Sequence, residues 1–184
     1  DSKFYEHPGI DVEGITRAFF VNVRAGDVVQ GGSTITQQVV KSLLLTPERS
    51  YRRKLREIIL SLKLERELSK DEILYLYLNQ IYLGERAYGF AAAASVYFDK
   101  TLDQITVAEA AMLAGLPKAP SAYNPVANRE RAIVRQRHIL KRMHALGHLD
   151  LQQLQTAMAE QLTLRHENRS MDPSAAFAGE QARK

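Results

Sequence analysis

Helix-start signals recur along the 184-residue sequence and constrain its fold more than any other feature does. In a capping box, a Ser or Thr and a Glu or Gln three residues later each bond the other's backbone N–H. The predicted helices run from Ser33 or Thr34 to about Leu45, from Pro47 over a long segment, from Ser69 and Glu72 through Ile81 to a stop at Gly84, from Thr106 and Glu109 to near Gly115, from Asn128 to Leu146, and from Asp150 to Gln161. No segment alternates polar and apolar residues over several strands, so we predict a mainly α fold.

Apolar spacing predicts how some of these segments pack. Two helices have apolar stripes: Ile35, Val39, Leu43 and Leu44 in the first, and Leu55, Ile58, Ile59 and Leu62 in the long one. Segment 19–32 is an exception, because valines and phenylalanines flank a turn at Gly26 and Asp27. It predicts a short hairpin or a mobile apolar flap that is either core or dips into a membrane.

The distribution of charge says more about partners than its sum does. The formal net charge is only +4, and the absence of cysteine excludes disulfides and thiolate metal sites. No segment approaches the roughly 20 apolar residues that cross a bilayer. Basic residues crowd residues 41–70, which indicates an anionic partner (a phosphate, a nucleic acid or an acidic membrane surface) or simply a solvated helix face.

A single carboxylate within this basic segment is the first candidate for chemistry. Arg53 and Lys54 precede Glu57 by four and three residues, so a helix places all three on one face. Taken alone, the pattern is that of surface salt bridges worth about 0.3–0.5 kcal/mol each. Arg49 and Arg52 add more positive charge than one carboxylate neutralises, and Lys41 lies on the helix just before. This excess of positive charge suits a phosphate ligand better.

Segment 31–38 is a second candidate. Two glycines precede hydroxyl and amide side chains at a predicted helix N-terminus, where free N–H groups and the helix dipole favour an anion. A well-capped helix with a polar outer side explains the same residues. The segment lacks the spacing of a Walker phosphate loop.

Histidines contribute one further cluster. Asp1, Phe4, His7 and Gly9 lie together at the start of the sequence. His144 and His148 are four residues apart on a predicted helix, which permits zinc, but a third ligand is not evident. We therefore predict no metal-binding pair there.

Taken in order, these clusters resemble the motif set of the bacterial peptidoglycan glycosyltransferases (glycosyltransferase family 51). That family forms the N-terminal module of class A penicillin-binding proteins, and the similarity is greatest to the 1A type. The matching segments are residues 1–9 (Glu-Asp-x-x-Phe-x-x-His-x-Gly, from its Asp onward), 31–38 (Gly-x-Ser-Thr-x-Thr-Gln-Gln), 53–57 (Arg-Lys-x-x-Glu), 70–84 (the fourth motif) and 89–100 (the fifth). The resemblance covers at least residues 1–100.

The resemblance implies a lysozyme-like fold with a larger head lobe and a small membrane-facing jaw. We expect the glycosyltransferase domain to span residues 1–166, with the jaw at roughly 15–50. Residues 167–184 would be a polar tail or linker, followed in the family by a transpeptidase domain. The implied location is the extracytoplasmic face of the bacterial inner membrane, with an anchor outside this chain.

The implied reaction joins a lipid-linked glycan donor to lipid II. A β-1,4 bond forms with inversion, and undecaprenyl pyrophosphate leaves. The family uses two glutamates, of which Glu57 matches the donor-side one. The acceptor-side base would immediately precede Asp1, and we expect it upstream of this sequence. If Asp1 were the true start, we would expect ligand binding with turnover lower by about 10²–10⁴.

The resemblance also assigns roles to individual residues. Donor pyrophosphate would contact Ser33, Thr34, Gln37, Gln38, Lys41, Arg49, Arg53 and Lys54; Asp1, Phe4, His7 and Gly9 would support the first motif, and Asn79, Tyr82, Gly89 and Tyr97 would support the site. No organic cofactor is expected, and a divalent cation (Mg²⁺ or Mn²⁺) is possible. The expected partners are lipid II, lipid-linked glycan, the membrane surface and other cell-wall synthesis proteins, and not nucleic acid.

Two alternatives remain at this stage. A lysozyme-like lytic enzyme would share the fold and a catalytic glutamate but has no need of a phosphate cluster. A non-catalytic basic helical module would bind nucleic acid or anionic lipid, with aromatic residues available for stacking. Residues 41–70 contain only Tyr51 as an aromatic residue, which disfavours the stacking module.

Overall fold

The computed structural model describes residues 1–27, 31–46, 48 and 50–165, and this part of the chain is helical without a β-strand. The helices are α1 (Val12–Ala25), α2 (Ile35–Leu44), α3 (Tyr51–Glu67), α4 (Lys70–Gln80), α5 (Phe90–Phe98), α6 (Val107–Gly115), a 3-10 turn (Leu116–Lys118), α7 (Arg129–Ala145) and α8 (Leu151–Ala159). Extended pairing within the described part is limited to an antiparallel bridge between Tyr82 and Tyr88. The predicted mainly α class is confirmed.

Reciprocal capping boxes begin α2, α4, α6 and α8. Their residue pairs are Thr34 with Gln37, Ser69 with Glu72, Thr106 with Glu109, and Asp150 with Gln153. The helix starts predicted from these patterns are confirmed. The predicted stop at Gly84 is wrong, because α4 already ends at Gln80. Gly84 instead adopts a left-handed φ of 88° in the loop that follows.

Helix α3 differs from the prediction in its start and in its buried face. Ser50 caps it by accepting a hydrogen bond from the Arg53 N–H at 3.1 Å, and Pro47 lies outside the described residues. The apolar stripe is wrong, because Leu55 and Ile59 are exposed while Glu57 and Ser61 are buried. Polar residues can occupy the buried face because each has a partner; Ser61, for instance, donates to the Glu57 carbonyl oxygen at 2.7 Å. In α2 the stripe is half right: Val39 is buried, and Leu43 and Leu44 are exposed.

The hairpin predicted at segment 19–32 is wrong where the structure describes it, and so is the core alternative, because Phe19 and Phe20 are exposed. The alternative of an apolar surface segment that dips into a membrane stays a prediction. Residues up to Ala25 belong to α1, which Asp11 caps by accepting a hydrogen bond from the Gly14 N–H at 2.8 Å. Gly26 ends the helix with a left-handed φ of 69°. A cap at one end and a left-handed glycine at the other therefore define a helix despite its valines. The valines at 28 and 29 lie outside the described residues.

The chain divides into two compact units, Asp1–Ile81 and Tyr82–Lys184. Unit 1 contains α1–α4 around a core of Phe4, Val39 and Ile73. Unit 2 contains α5–α8, and its core includes Ala108, Ala111, Leu140, Leu149, Leu154 and Ala157. The jaw at 15–50 stays a prediction, and the predicted tail at 167–184 lies outside the described residues. Among the described helices, none is both long and apolar enough to cross a bilayer.

Candidate active site

The carboxylate of Glu57 is buried on α3 and is bonded to two cations of the same helix. Its Oε2 accepts from the Arg53 guanidinium at 2.8 Å, and its Oε1 accepts from the Lys54 ammonium. The side chain of Glu57 is only 2% exposed, whereas those of Arg53 and Lys54 are 17% and 40% exposed. The two cations bring one positive charge more than the carboxylate neutralises, and they reach solvent where the carboxylate does not.

Segment 31–38 lies against this cluster. The Lys54 ammonium donates to the Ser33 hydroxyl at 3.2 Å, so the residue before the α2 cap and the cationic face of α3 are neighbours. Lys41 is exposed in the last turn of α2, and Arg49 lies outside the described residues. Gln38 is half-buried on α2. Of the predicted donor-side residues, the structure thus places Ser33, Arg53 and Lys54 together at Glu57.

The start of α2 presents a buried amide with spare donor capacity. Gln37 closes the capping box with its Oε1, which accepts from the Thr34 N–H at 2.9 Å. Its Nε2 is buried without a hydrogen-bond partner among the described residues. An unsatisfied buried donor costs about 1–3 kcal/mol, and this nitrogen has almost no exposed surface through which a ligand atom could contact it.

Asp1 joins the first-motif turn to the start of α2. Its Oδ1 pairs with His7 Nε2 at 2.8 Å, and its Oδ2 accepts from the Ile35 N–H at 2.7 Å. Because the Gly9 N–H donates to His7 Nδ1 at 3.2 Å, the proton of the neutral ring belongs on Nε2, facing Asp1. Burial, helped by the nearby Lys70 ammonium, holds the pKa of His7 below its ordinary value.

Gly9 and Phe4 complete the first-motif turn. Phe4 is part of the unit 1 core, and its ring lies edge-on to His7. Gly9 has a φ of 93°, and a Cβ there would come within 3.0 Å of the Ser61 carbonyl oxygen. The Gly9 carbonyl in turn accepts from the Thr34 hydroxyl at 2.7 Å. A side chain at position 9 would therefore strain the backbone and push the turn away from both α2 and α3.

The remaining predicted support residues have local structural contacts. In unit 1, the Asn79 amide donates to the Tyr75 carbonyl at 2.8 Å. In unit 2, the buried Tyr97 hydroxyl donates to the Leu83 carbonyl at 2.9 Å, and burial raises the pKa of Tyr97. Gly89 precedes α5 with a left-handed φ of 81°, and Tyr82 pairs with Tyr88. Their roles in the reaction stay predictions.

Sequence reasoning missed a buried carboxylate next to the first-motif turn. Glu65 lies on the same face of α3 as Glu57 and Ser61, and its side chain is 8% exposed. It accepts from the Thr36 hydroxyl and from the Lys70 ammonium. The spacing of four between Glu57, Ser61 and Glu65 was the available signal, but it was masked by the more obvious apolar stripe.

The described residues offer no ready metal site. Within the ranges that the structure covers, no three His, Asp or Glu side chains come together as ligands. His144 Nδ1 lies 2.8 Å from the Leu149 carbonyl oxygen, which engages one nitrogen of the histidine considered for zinc. Both oxygens of Glu57 are engaged by cations, so its carboxylate does not fit as a ligand for a hard divalent ion.

Comparisons with known proteins identify the family. The transglycosylase family model matches residues 1–144. The penicillin-binding proteins 1A of Neisseria flavescens and Pseudomonas aeruginosa are 55% and 48% identical to the chain over 183 residues, but the chain spans only 23% and 22% of their lengths. The crystal structure of penicillin-binding protein 1A from Haemophilus influenzae is similar with a TM-score of 0.51 and 34% identity, over 71% of this chain and 16% of that one. The chain belongs to the transglycosylase family of the class A penicillin-binding proteins.

Proposed function

We propose that this chain is a peptidoglycan glycosyltransferase domain that polymerises lipid II into β-1,4-linked glycan strands with inversion, releasing undecaprenyl pyrophosphate. The observation that carries the proposal is the buried Glu57 carboxylate with Arg53 and Lys54 bonded to its two oxygens. Since the chain spans about a quarter of the relatives that it matches, the activity is proposed for this domain alone.

Arg53 and Lys54 would act on the donor. As the anomeric bond breaks, the diphosphate leaving group gains negative charge, and cations already in place stabilise it without reorganising. Glu57 holds both cations from its buried position, and the side chains of Arg53 and Lys54 stay partly exposed to solvent.

Asp1 would set the position of the acceptor side. The predicted general base precedes Asp1, whose carboxylate is tied to His7 and to the first N–H of α2. Inversion requires the acceptor hydroxyl to attack from the face opposite the leaving group, so base and cation cluster must act from separate positions. The two contacts of Asp1, with His7 and with the start of α2, would keep the base at the α2 end of the site.

Polymerisation of lipid II is the direct test. The chain is extended by a Glu before Asp1 and incubated with lipid II, and we expect glycan polymer to form, with its formation lost in Glu57→Gln. A separate incubation with preformed glycan tests the lytic alternative. Shortening of that glycan without any polymer from lipid II would overturn the proposal. Nucleic-acid binding that is salt-sensitive and indifferent to Glu57→Gln would instead support the basic binding module.

We further propose that α1 contacts the membrane surface that carries the lipid-linked substrate, at the extracytoplasmic face. Phe19, Phe20 and Val23 are each more than 60% exposed on this helix. Apolar side chains of this size on one helix are suited to the acyl boundary of a bilayer. Replacing Phe19 and Phe20 by Ser should abolish co-sedimentation with vesicles of anionic phospholipid. The matched control is Val134→Ser, at a position 69% exposed on α7, and equal loss in both variants would contradict the proposal.

A role for Mg²⁺ or Mn²⁺ is proposed only in association with the substrate. The residues described do not fit a cation site by themselves, so the diphosphate would have to supply ligands. Titrating each ion into the protein with and without a soluble diphosphate separates the two cases: heat released only with the diphosphate supports the proposal, and heat released without it overturns it.

Association with other cell-wall synthesis proteins is also proposed, on the family resemblance.

A further inference from the structure

Glu65 connects three helices of unit 1 through one carboxylate oxygen. From α3, its Oε1 accepts from the Thr36 hydroxyl in the first turn of α2 at 2.5 Å. The same oxygen accepts from the Lys70 ammonium, at the first residue of α4, at 2.8 Å. Glu65 and Lys70 are both mostly buried, with side chains 8% and 20% exposed. A pair this sheltered from water is held more firmly than the surface pairs typical of helices.

Lys70 extends this connection to the first-motif turn. Its ammonium donates to the His7 carbonyl oxygen at 2.6 Å and lies 4.6 Å from the centre of the Phe4 ring. The carboxylate of Glu65 therefore orients a cation that also contacts His7 and Phe4 of the turn. Without Glu65, the ammonium would be left partly buried without a counter-charge and would move toward water.

The stem of Glu65 also supports the turn directly. A Cβ at Gly9 would lie 2.9 Å from Glu65 Cγ, which shows how closely the turn rests on this side chain. Gly9 is the residue whose N–H donates to His7 Nδ1 and so sets the ring nitrogen that faces Asp1. A displacement of Glu65 would therefore move Gly9, and through Gly9 it would move His7, which is bonded to Asp1.

We infer that Glu65 is a positioning residue for the proposed glycosyl transfer: together with Lys70 and Thr36, it fixes the first-motif turn against α2 and thereby holds Asp1 at the α2 N-terminus. This inference rests on the proposed function, because the importance of Asp1 there is that the predicted base precedes it. Glu65 itself touches no reacting group. Its effect on the reaction passes through the geometry of Asp1 and His7.

The decisive variant is Glu65→Gln, which keeps the shape of the side chain and removes its charge. In the chain extended by the upstream Glu, we expect kcat to fall by roughly 10–100-fold, since small misplacements of a catalytic group cost up to about that much. KM for lipid II should stay within about twofold, because the donor cations are untouched. Glu67→Gln is the matched control, as it removes the same charge from an exposed position on the same helix.

A spectroscopic measurement separates positioning from general stability and does not depend on turnover. The ¹⁵N chemical shifts of the His7 ring distinguish a protonated nitrogen from a bare one. In the parent chain we expect a proton on Nε2 and a bare Nδ1, and in Glu65→Gln we expect partial exchange of the two forms. Thr36→Val serves as a second variant, since it removes one donor to Glu65 and should shift the signals in the same direction by less.

The outcomes are distinguishable. Parent-like kcat and His7 signals in a folded Glu65→Gln protein would overturn the inference, as would an equal loss of kcat in Glu67→Gln. If Glu65→Gln does not fold, parent-like values in Thr36→Val overturn the inference in the same way. A parent chain that makes no polymer would refute the proposed function, whereas altered His7 signals in Glu65→Gln would still show that Glu65 holds the turn.

Discussion

Two buried glutamates, one in each unit, are both bonded to cations but differ in their hydrogen-bond partners. Glu57 in unit 1 is held by side chains of its own helix, Arg53 and Lys54, which remain partly open to solvent. Glu109 in unit 2 accepts from the Lys100 ammonium at 2.8 and 2.9 Å and from the Thr106 N–H at 2.9 Å. Glu109 is thus held by the backbone N–H of Thr106 and by the ammonium of Lys100, nine residues before it.

The difference indicates which carboxylate is available for chemistry. Glu109 completes a capping box and an ion pair, so its acceptor sites are used to stabilise unit 2. Glu57 gathers positive charge that exceeds its own, and that charge faces solvent. Burial and ion pairing alone therefore do not mark an active site; the excess charge and its exposure do.

The largest expected effect is that of removing the charge of Glu57. In the chain extended by the upstream Glu, Glu57→Gln should lower the rate of polymerisation from lipid II by at least about 10²-fold, because Arg53 and Lys54 both lose the contact that holds them in position. The free energy of unfolding should fall by only about 1 kcal/mol, because the freed cations can turn toward water. Polymer formation on gels and urea denaturation measure the two quantities. A rate loss no larger than that of Glu109→Gln would break the comparison.

Removing one of the two cations should have the next largest effect. Arg53→Gln is expected to lower kcat by about 10²-fold, the usual cost of losing one preorganised donor at a developing charge. Steady-state kinetics with lipid II measures this value. Arg56→Gln, at an exposed position on the same helix, is the control and should stay near parental activity. Equal losses in the two variants would mean that general positive charge, rather than the position of Arg53, matters.

The opposite pattern is expected for Glu109. Glu109→Gln should lower the free energy of unfolding by about 1–3 kcal/mol, because a charge-assisted hydrogen bond to Lys100 is lost at a buried site. The kcat of the folded protein should be unchanged. Chemical denaturation gives the first value, with Glu130→Gln on α7 as an exposed control. A specific loss of activity without a loss of stability would place Glu109 in the reaction instead.

The smallest expected effect concerns pH. Since the pKa of His7 is lowered from 6.5 in the folded protein, the unfolded chain binds more protons once the pH falls through 6.5. Stability should therefore fall as the pH decreases through 6.5 toward the lower folded value, and His7→Gln should lose less stability between pH 7.5 and 5. Urea denaturation at the two pH values measures this difference. His138→Gln, at an exposed position in unit 2, should behave like the parent.

Local patterns predicted helix starts and the Glu57 cluster, because both are encoded within four residues. The spacing of Arg53, Lys54 and Glu57 sufficed to place them on one face, as observed. Helix geometry alone did not decide whether this cluster is a set of salt bridges or a phosphate site. The order of the motifs along the chain indicated the function.

Packing was harder to predict. The spacing of residues along a helix shows which of them share a face, but it does not show which face is buried. The apolar face of α3 carries Leu55 and Ile59 and is exposed, whereas the opposite face buries Glu57 and Ser61. The role of Glu65 depends on contacts with residues 29 positions before and 5 after it, which no local pattern contains. The valine-rich α1 was mistaken for a hairpin because its defining cap, Asp11, lies upstream of the segment considered.

The four reciprocal caps have a consequence for how the chain folds. Helix formation is limited by its first turn, which fixes several dihedrals for a single hydrogen bond. At Thr34, Ser69, Thr106 and Asp150, side chains supply extra bonds at that step using residues three apart. Nucleation of every second helix is thereby favoured at a defined residue before any long-range contact exists. The search that remains is mainly over how preformed helices collide, which is a faster search than one over helix boundaries as well.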